Sequence, residues 1–335
     1  MIKICVKSGI KQLPLFENER FPYYEAFIGC DDVLSDLLNT HMEIVSIHMP
    51  ETIKINSKVF AINFNKSSEI ATASYNKLNE IIEFSKTNDV KNIILHLGFF
   101  NSFTEDRYNI IDMIIDRFRL LDAGKVKLLI ENVPCWINIS FENEPIISNV
   151  EHMLYFIEKC PEAGIVFDID HVAINTIFQR YYPGYKQKYI ETENKSLFRM
   201  ELEKKIINET SKNIDYYSSI VNCDIINFLT VIKPNVIHAT GSDFCNYQPY
   251  YNLPLNGESI PMGFRGRING KSVEDRINHK RWIEKLPDNG KDIYITLELA
   301  LRNNDYNYIE QIKKNWFYLN KTITEVSRHS NKISI

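Results

Sequence analysis

The chain has 335 residues, of which 44% are hydrophobic and 24% charged, and its formal net charge at pH 7 is -4. These totals are typical of a soluble globular protein, and the net charge gives the surface no general attraction for nucleic acid. The length fits one barrel of alternating strands and helices with insertions. The six cysteines form no CxxC pair, which argues against a zinc ribbon or a disulfide framework. With no signal-peptide pattern and no apolar run long enough to span a bilayer, we expect a cytoplasmic protein.

The first half of the chain alternates short apolar runs with helical patterns. Strands are predicted over residues 2–6, 43–48, 92–96 and 126–131, and helices over 67–88 and 104–121. The segment 8–24 is rich in proline and aromatic residues, so it is predicted as a loop at the rim of a pocket. This alternation is the pattern of successive βα units.

The second half continues the alternation with one long interruption. A helix over 149–159 precedes strand five, which reads GIVFDIDH at 164–171. The following 70 residues, from Asp168 to His238, exceed one βα unit and contain two helical patterns, 196–209 and 216–231. Residues 175–232, approximately, are therefore predicted as a helical insertion after strand five that forms a lid over the C-terminal face.

The remaining elements complete eight βα units. Strand six ends at His238, strand seven is placed at 263–268, and strand eight ends at Glu298. Helices are predicted over 272–286 and 306–326. We therefore predict an α/β fold, a single (β/α)8 TIM-barrel domain over residues 1–335.

Six of the predicted strands end in a residue type that binds metal ions. These residues are His48, His96, Glu131, Asp168, His238 and Glu298. The ends of parallel barrel strands converge on one face, and His, Asp and Glu are ligands for Zn, Mn or Fe. Converging carboxylates without a cation would repel one another. The sequence therefore predicts a centre of one or two divalent metal ions at this face.

This run of strand-end residues resembles the xylose isomerase-like TIM barrels, the superfamily that joins endonuclease IV with sugar isomerases and epimerases. The resemblance covers residues 2–325, approximately, without the insertion. In the sugar epimerases, Glu, Asp, His and Glu from strands four, five, six and eight hold the metal. The resemblance assigns these roles to Glu131, Asp168, His238 and Glu298.

Endonuclease IV carries further ligands, and the chain matches some of them. Its two additional histidines are matched by His48 and His96, with Glu131 bridging two metals, and its Asp-x-x-His by Asp168 and His171. Its third metal needs an Asp-x-His pair after strand six, where this chain reads NGESIPMGFRG. Neither residue of the pair is there, although Glu258 and Ser259 lie close by. The resemblance therefore implies at most two well-ligated metals, with His171 among their ligands.

The activity implied first is that of a metal-dependent isomerase or epimerase acting on a small sugar-like or keto substrate. The metal would polarise adjacent oxygens, Glu131 and Glu298 would accept and donate the proton, and His171 would orient or relay it. Arg265 is a candidate to bind a substrate phosphate or carboxylate, with a solvated loop as the alternative. Asp243 is a candidate substrate contact, with a loop hydrogen bond as the alternative.

Three other functions remain open at this stage. The first is an endonuclease IV-like phosphodiesterase with two metals, although the net charge does not support a nucleic acid partner. The second is a multinuclear iron-dependent oxidase that modifies a peptide. The stretches IENVPCW and IHATG weakly resemble the sequences of such oxidases. The third is a binding module with a vestigial site, against which the six intact ligand types argue.

Overall fold

Strands of the chain build one closed barrel and three small sheets. The structure, a computed structural model, describes residues 1–16, 19–65, 68–135, 143–244, 260–268, 271–286, 292–299 and 307–330. Its strands are β1 (Ile2–Gly9), β2 (Tyr23–Phe27), β3 (Glu43–His48), β4 (Thr52–Ile55), β5 (Lys58–Ala61), β6 (Asn92–Leu95), β7 (Phe99–Asn101), β8 (Lys127–Glu131), β9 (Asn143–Pro145), β10 (Gly164–Asp168), β11 (Val236–Ala239), β12 (Arg265–Ile268), β13 (Lys271–Glu274) and β14 (Ile293–Leu297). Eight of them form a closed parallel barrel in the order β1, β14, β11, β10, β8, β6, β3, β2, which confirms the predicted (β/α)8 fold.

Helices follow most of the barrel strands. They are α1 (Glu69–Thr87), α2 (Arg107–Phe118), α3 (Val150–Lys159), α4 (Ile169–Glu191), α5 (Lys195–Lys212), α6 (Ile214–Ile232), α7 (His279–Ile283) and α8 (Asn307–Ser330). The side chains of Ser68, Asp106 and Asn149 begin α1, α2 and α3, because each accepts a hydrogen bond from a backbone N–H of the first turn. Within the described ranges, none of the helices combines the length and apolar character needed to cross a membrane.

The inside of the barrel changes from apolar to polar along the strands. An apolar layer fills the middle, formed by Ile94, Leu129, Val166 and Val236, each at most 1% exposed. Because side chains alternate along a strand, the residue two positions later points to the same side. Those residues are His96, Glu131, Asp168 and His238. The polar cluster therefore lies directly on the apolar layer, at the carboxyl ends of the strands.

The second barrel strand lies where a loop is predicted. The predicted loop covers residues 8–24, but β2 begins inside that range at Tyr23 and pairs with both β1 and β3. The middle residue of β2, Glu25, is charged, so YYEAF lacks the continuous apolar run that marks the other strands. The prediction of a loop is wrong at its C-terminal end.

The predicted strand seven is not part of the barrel. Residues 265–268 form β12, which pairs with β13 in an antiparallel hairpin, and the helix predicted over 272–286 is confined to α7. The predicted number of eight barrel strands is still correct, because β2 is not predicted as a strand and β12 is predicted as one but lies outside the barrel. The strands predicted as two to six are the third to seventh of the barrel. The helical insertion therefore follows the sixth barrel strand, β10, and its predicted position after strand five is corrected by one.

Three helices occupy the predicted insertion. The patterns at 196–209 and 216–231 correspond to α5 and α6, while α4 begins directly after β10. Helix α4 packs against both α5 and α6. The Lys186 ammonium on α4 donates a hydrogen bond to the carbonyl of Ser102, just after β7, at 3.1 Å. The role of residues 175–232 as a lid stays a prediction.

Candidate metal centre

Four of the predicted ligands form one compact group around His238. The Nδ1 atom of His238 lies 2.8 Å from Oε2 of Glu298, 3.2 Å from Oε1 of Glu131 and 3.7 Å from Oδ2 of Asp168. One ligand atom from each of the four residues lies within 4.8 Å of all the others. Glu298 is the most exposed member, with 27% of its side chain accessible, while the others are buried. We refer to these residues as the four-ligand group.

A second, smaller group shares one residue with the first. The Nε2 atoms of His48 and His96 lie 3.1 Å and 3.2 Å from Oε2 of Glu131. His48 is oriented by its other ring nitrogen, since Nδ1 lies 2.9 Å from the carbonyl oxygen of Met49. We refer to His48, His96 and Glu131 as the three-ligand group. Glu131 thus turns one oxygen toward each group.

His171 lies beside the cluster but belongs to neither group. The Asp168 side chain caps α4 by accepting a hydrogen bond from the backbone N–H of His171 at 2.8 Å. The Nδ1 atom of His171 lies 2.6 Å from the carbonyl oxygen of Asn132 and 3.5 Å from Oε1 of Glu131. A nitrogen that donates to a carbonyl is not available to a metal. The contact leaves Nε2 of His171 as the ring nitrogen that could bind an ion, and His48 is held in the same way by the Met49 carbonyl. The orienting and the ligand roles of His171 both remain predictions.

The two predicted substrate contacts lie in the segments after β11. Asp243 is 9% exposed, and Arg265 lies on the β12–β13 hairpin with an 83% exposed side chain. The Arg265 guanidinium is 3.7 Å from a carboxylate oxygen of Glu274. The structure does not bring Arg265 into the cluster, and its binding role stays a prediction. Glu258 and Ser259 lie outside the described residues.

Two buried charged residues of the site are missed by the sequence reasoning. Lys7 on β1 is 8% exposed, and its ammonium donates a hydrogen bond to Oε1 of Glu298 at 2.6 Å. Glu25 on β2 is fully buried, with Oε1 at 2.9 Å from Nε2 of His238 and 3.7 Å from the Lys7 ammonium. For Glu25 the available signal is a single charged residue in the middle of an otherwise uncharged stretch, YYEAF.

Neighbouring charges set the protonation states of Glu131 and His238. Burial alone would raise the pKa of Glu131, but the imidazoles of His238 and His96 outweigh it and hold that pKa well below its ordinary value. Burial alone would lower the pKa of His238, but the carboxylates of Glu25 and Glu131 raise it well above the ordinary value. Without a metal, a proton on His238 compensates part of the negative charge.

The pKa values of the other two carboxylates, Asp168 and Glu298, are shifted in opposite directions. Burial, followed by the charges of Glu298 and Glu131, raises the pKa of Asp168 to about 8. Burial would also raise the pKa of Glu298, but Lys7 and then His238 lower it below its ordinary value. Protons on Asp168 and His238 therefore occupy a site with surplus negative charge, which a divalent cation would neutralise by displacing them.

The residues present fit a divalent metal ion. Two buried atoms that face the cluster, Nε2 of His96 and Oε2 of Glu298, make no hydrogen bond to any described residue. Buried polar atoms normally have partners, and an ion is one of the explanations for an exception. Three carboxylates and an imidazole are a donor set suited to zinc, manganese or iron.

Fold and site together define a TIM barrel with a candidate metal centre at the carboxyl ends of its strands. The structural neighbours are xylose isomerase-like TIM barrels, which confirms at the level of the fold the resemblance found in the sequence. The sequence matches no family model and no curated protein.

Three solved structures illustrate this likeness. An L-ribulose 3-epimerase has a TM-score of 0.56 and 12% identity, covering 100% of this chain and 99% of its own. The IolI protein with a bound zinc atom has a TM-score of 0.50 and 14% identity, covering 97% of each chain. Endonuclease IV from Thermus thermophilus has a TM-score of 0.50 and 10% identity, covering 96% of this chain and 99% of its own.

Proposed function

We propose that this protein is a divalent-metal-dependent isomerase or epimerase that acts on a small sugar-like or keto substrate by proton transfer. The observation that carries the proposal is the pairing of two carboxylates, Glu131 and Glu298, in one four-ligand group. Glu131 is the last residue of β8 and Glu298 follows β14, and the two strands between them, β10 and β11, supply Asp168 and His238. Proton removal and return next to a carbonyl need two such groups near one electrophile.

The metal, when bound, would supply Lewis acidity toward the substrate oxygens. Glu131 has a lowered pKa and is therefore ionised at neutral pH, which is the form in which a carboxylate accepts a proton. Glu298 is the member of the group accessible from outside, and Lys7 holds its Oε1 while Oε2 faces His238. His171, tied to the Asn132 carbonyl, would orient the substrate or relay a proton.

A single ion is favoured by the fixed positive charge of Lys7. Its ammonium lies within 4 Å of Glu25 and Glu298, so it already neutralises part of the negative charge that a second divalent ion would otherwise neutralise. The epimerase neighbours, which share this fold, are consistent with the proposal by analogy.

The test begins with the metal. The purified protein is analysed for metals, stripped with a chelator and reloaded with Mn²⁺ or Zn²⁺. It is then incubated in D₂O with a panel of small ketoses that includes L-ribulose and D-tagatose. We expect deuterium to enter at the carbon next to the carbonyl, as measured by NMR. Failure of the protein to bind any divalent metal would end the proposal.

Variants separate proton transfer from general damage. Glu131→Gln and Glu298→Gln at saturating metal should each lower the exchange rate by about 10²- to 10⁴-fold, the usual contribution of a general acid or base. Glu43→Gln is the matched control, because Glu43 is exposed at the opposite end of a barrel strand. Exchange that survives in both site variants at the wild-type rate would refute the assigned roles.

The second candidate is an endonuclease IV-like phosphodiesterase. It is favoured by the three-ligand group, in which His48, His96 and one oxygen of Glu131 provide ligands for a second ion. Two metal ions per chain, together with cleavage of a duplex that contains an abasic site, would establish this activity. One ion per chain, with deuterium exchange into a ketose, would exclude it in favour of the isomerase.

A further inference from the structure

Glu25 is built into the barrel as an anchored carboxylate. Its Oε2 accepts hydrogen bonds from the hydroxyls of Ser46 at 3.1 Å and Thr296 at 3.0 Å, which lie on β3 and β14. These hydroxyls and Glu25 itself are completely buried. Two fixed donors on one oxygen hold the carboxylate plane, so the other oxygen has a defined direction.

That other oxygen is directed at a member of the four-ligand group. Oε1 of Glu25 lies 2.9 Å from Nε2 of His238 as an ion-pair contact, and within the described residues neither of these two buried atoms has a hydrogen-bond partner. On the opposite side of the same ring, Nδ1 is the atom that faces Glu131 and Glu298. The imidazole is therefore held between one carboxylate outside the group and the carboxylates within it.

We propose that Glu25 is the positioning residue of the metal centre: it fixes the ring of His238 with the proton on Nε2, so that Nδ1 is presented to the ion. Metal-bound histidines commonly donate their second N–H to a carboxylate, which sets both the tautomer and the ring orientation. Lys7 is the counterion that makes a buried Glu25 tolerable, since an unpaired carboxylate in this interior would be costly. The inference rests on the proposed metal centre and does not depend on the reaction.

The experiment compares Glu25→Leu and Glu25→Gln with the wild-type protein. Affinity for Zn²⁺ is measured by competition with a chromophoric chelator, and the ligand field is read from the visible spectrum of the Co²⁺-loaded protein. Glu25→Leu should lose about 10- to 100-fold in Zn²⁺ affinity, as expected when the outer partner of a ligating histidine is removed. It should also change the Co²⁺ bands. Glu25→Gln keeps an oxygen that accepts from Nε2–H, so its loss should be smaller and its Co²⁺ spectrum close to that of the wild type.

A matched control removes another buried glutamate in the same way. Glu203 on α5 is 7% exposed and outside the barrel, so Glu203→Leu should leave both readouts unchanged. If Glu25→Leu does not fold, the double variant Ser46→Ala, Thr296→Ala removes the anchors instead, and a loss of several-fold in affinity is expected.

The outcomes separate this inference from the proposed function. Wild-type affinity and an unchanged Co²⁺ spectrum in Glu25→Leu, or in the anchor variant, would overturn the positioning role and leave the metal centre intact. A wild-type protein that binds neither ion would overturn both. Metal binding that responds to Glu25 as described, without any ketose exchange, would support the inference while the proposed reaction fails.

Discussion

Replacing Asp168 by asparagine should stabilise the metal-free protein and abolish its response to metal. Burial and two neighbouring carboxylates raise the pKa of Asp168 from 3.8 to about 8, so at pH 7 the folded chain must hold a proton that the unfolded chain releases. A shift of one unit corresponds to about 1.4 kcal/mol, and only the interval from 3.8 to 7 counts at pH 7, so the upper limit is about 4 kcal/mol. Relaxation of the site reduces this, and we expect about 1–3 kcal/mol of stabilisation in the variant.

The sign of the pH dependence follows from the raised pKa. The contribution of Asp168 to stability is fully present below about pH 4 and is lost as the pH rises through about 8. Asparagine does not titrate, and its Oδ1 can still accept the capping hydrogen bond from the backbone N–H of His171, so helix α4 keeps its start. The variant should therefore lose less stability than the wild type between pH 4 and pH 8.

The assay is urea unfolding at several pH values, with a chelator and then with excess Zn²⁺. Zinc should stabilise the wild-type protein, because an ion that binds only the folded state shifts the unfolding equilibrium. Asp168→Asn should show no such gain. Asp106→Asn is the control, since Asp106 caps α2 through the same kind of contact at an exposed position. Destabilisation of metal-free Asp168→Asn at pH 7, or a zinc response equal to that of the wild type, would refute the reasoning.

Three further predictions test other parts of the molecule. Glu203→Gln should stabilise the protein by about 1–3 kcal/mol at pH 8, as measured by urea unfolding. Burial raises the pKa of Glu203 to about 7, so the wild-type protein loses stability as the pH rises from 4.5 through that value. Glu201→Gln, at an exposed position, is the control and should have no effect. Gly98→Ala should destabilise the fold by about 2–4 kcal/mol, measured in the same way, because Gly98 has φ +95° and a Cβ would lie 2.6 Å from a backbone carbon of Asn63; a loss below about 0.5 kcal/mol would contradict this. Lys7→Met should tighten binding of a second Zn²⁺ equivalent in titration calorimetry, because the variant lacks the positive charge that acts on the three-ligand group.

The sequence was sufficient to predict the fold and the strands that carry the ligands. Apolar runs that end in His, Asp or Glu are visible without coordinates, and the parallel barrel brings such ends together. The structure places six of the seven predicted metal ligands in the two ligand groups. The seventh, His171, lies beside the cluster, and its Nδ1 contacts the carbonyl oxygen of Asn132, a backbone atom that the sequence pattern does not report.

Lys7 and Glu25 are missed for a different reason. The predicted ligands lie where an apolar run ends, whereas Lys7 and Glu25 lie within their strands. A charged residue inside a strand normally indicates a solvent-facing position, and the loop predicted over 8–24 ends one residue before Glu25. Only closure of the barrel turns these positions inward, next to one another and to His238.

The position of these two residues links stability to function in a specific way. A barrel interior built for stability alone would continue the apolar layer of Ile94 and Leu129 upward, since replacing buried ionic groups by apolar ones is often neutral or favourable. Here the layer above it contains carboxylates whose mutual repulsion is relieved by Lys7 and by protons on Asp168 and His238. A cation that displaces those protons would leave Asp168 ionised and His238 neutral. The charge of the cation itself would then offset the repulsion between the carboxylates. Binding of the cation would therefore stabilise an interior that is otherwise destabilised by its carboxylates. Removal of the ion should lower the melting temperature, which can be measured without a substrate.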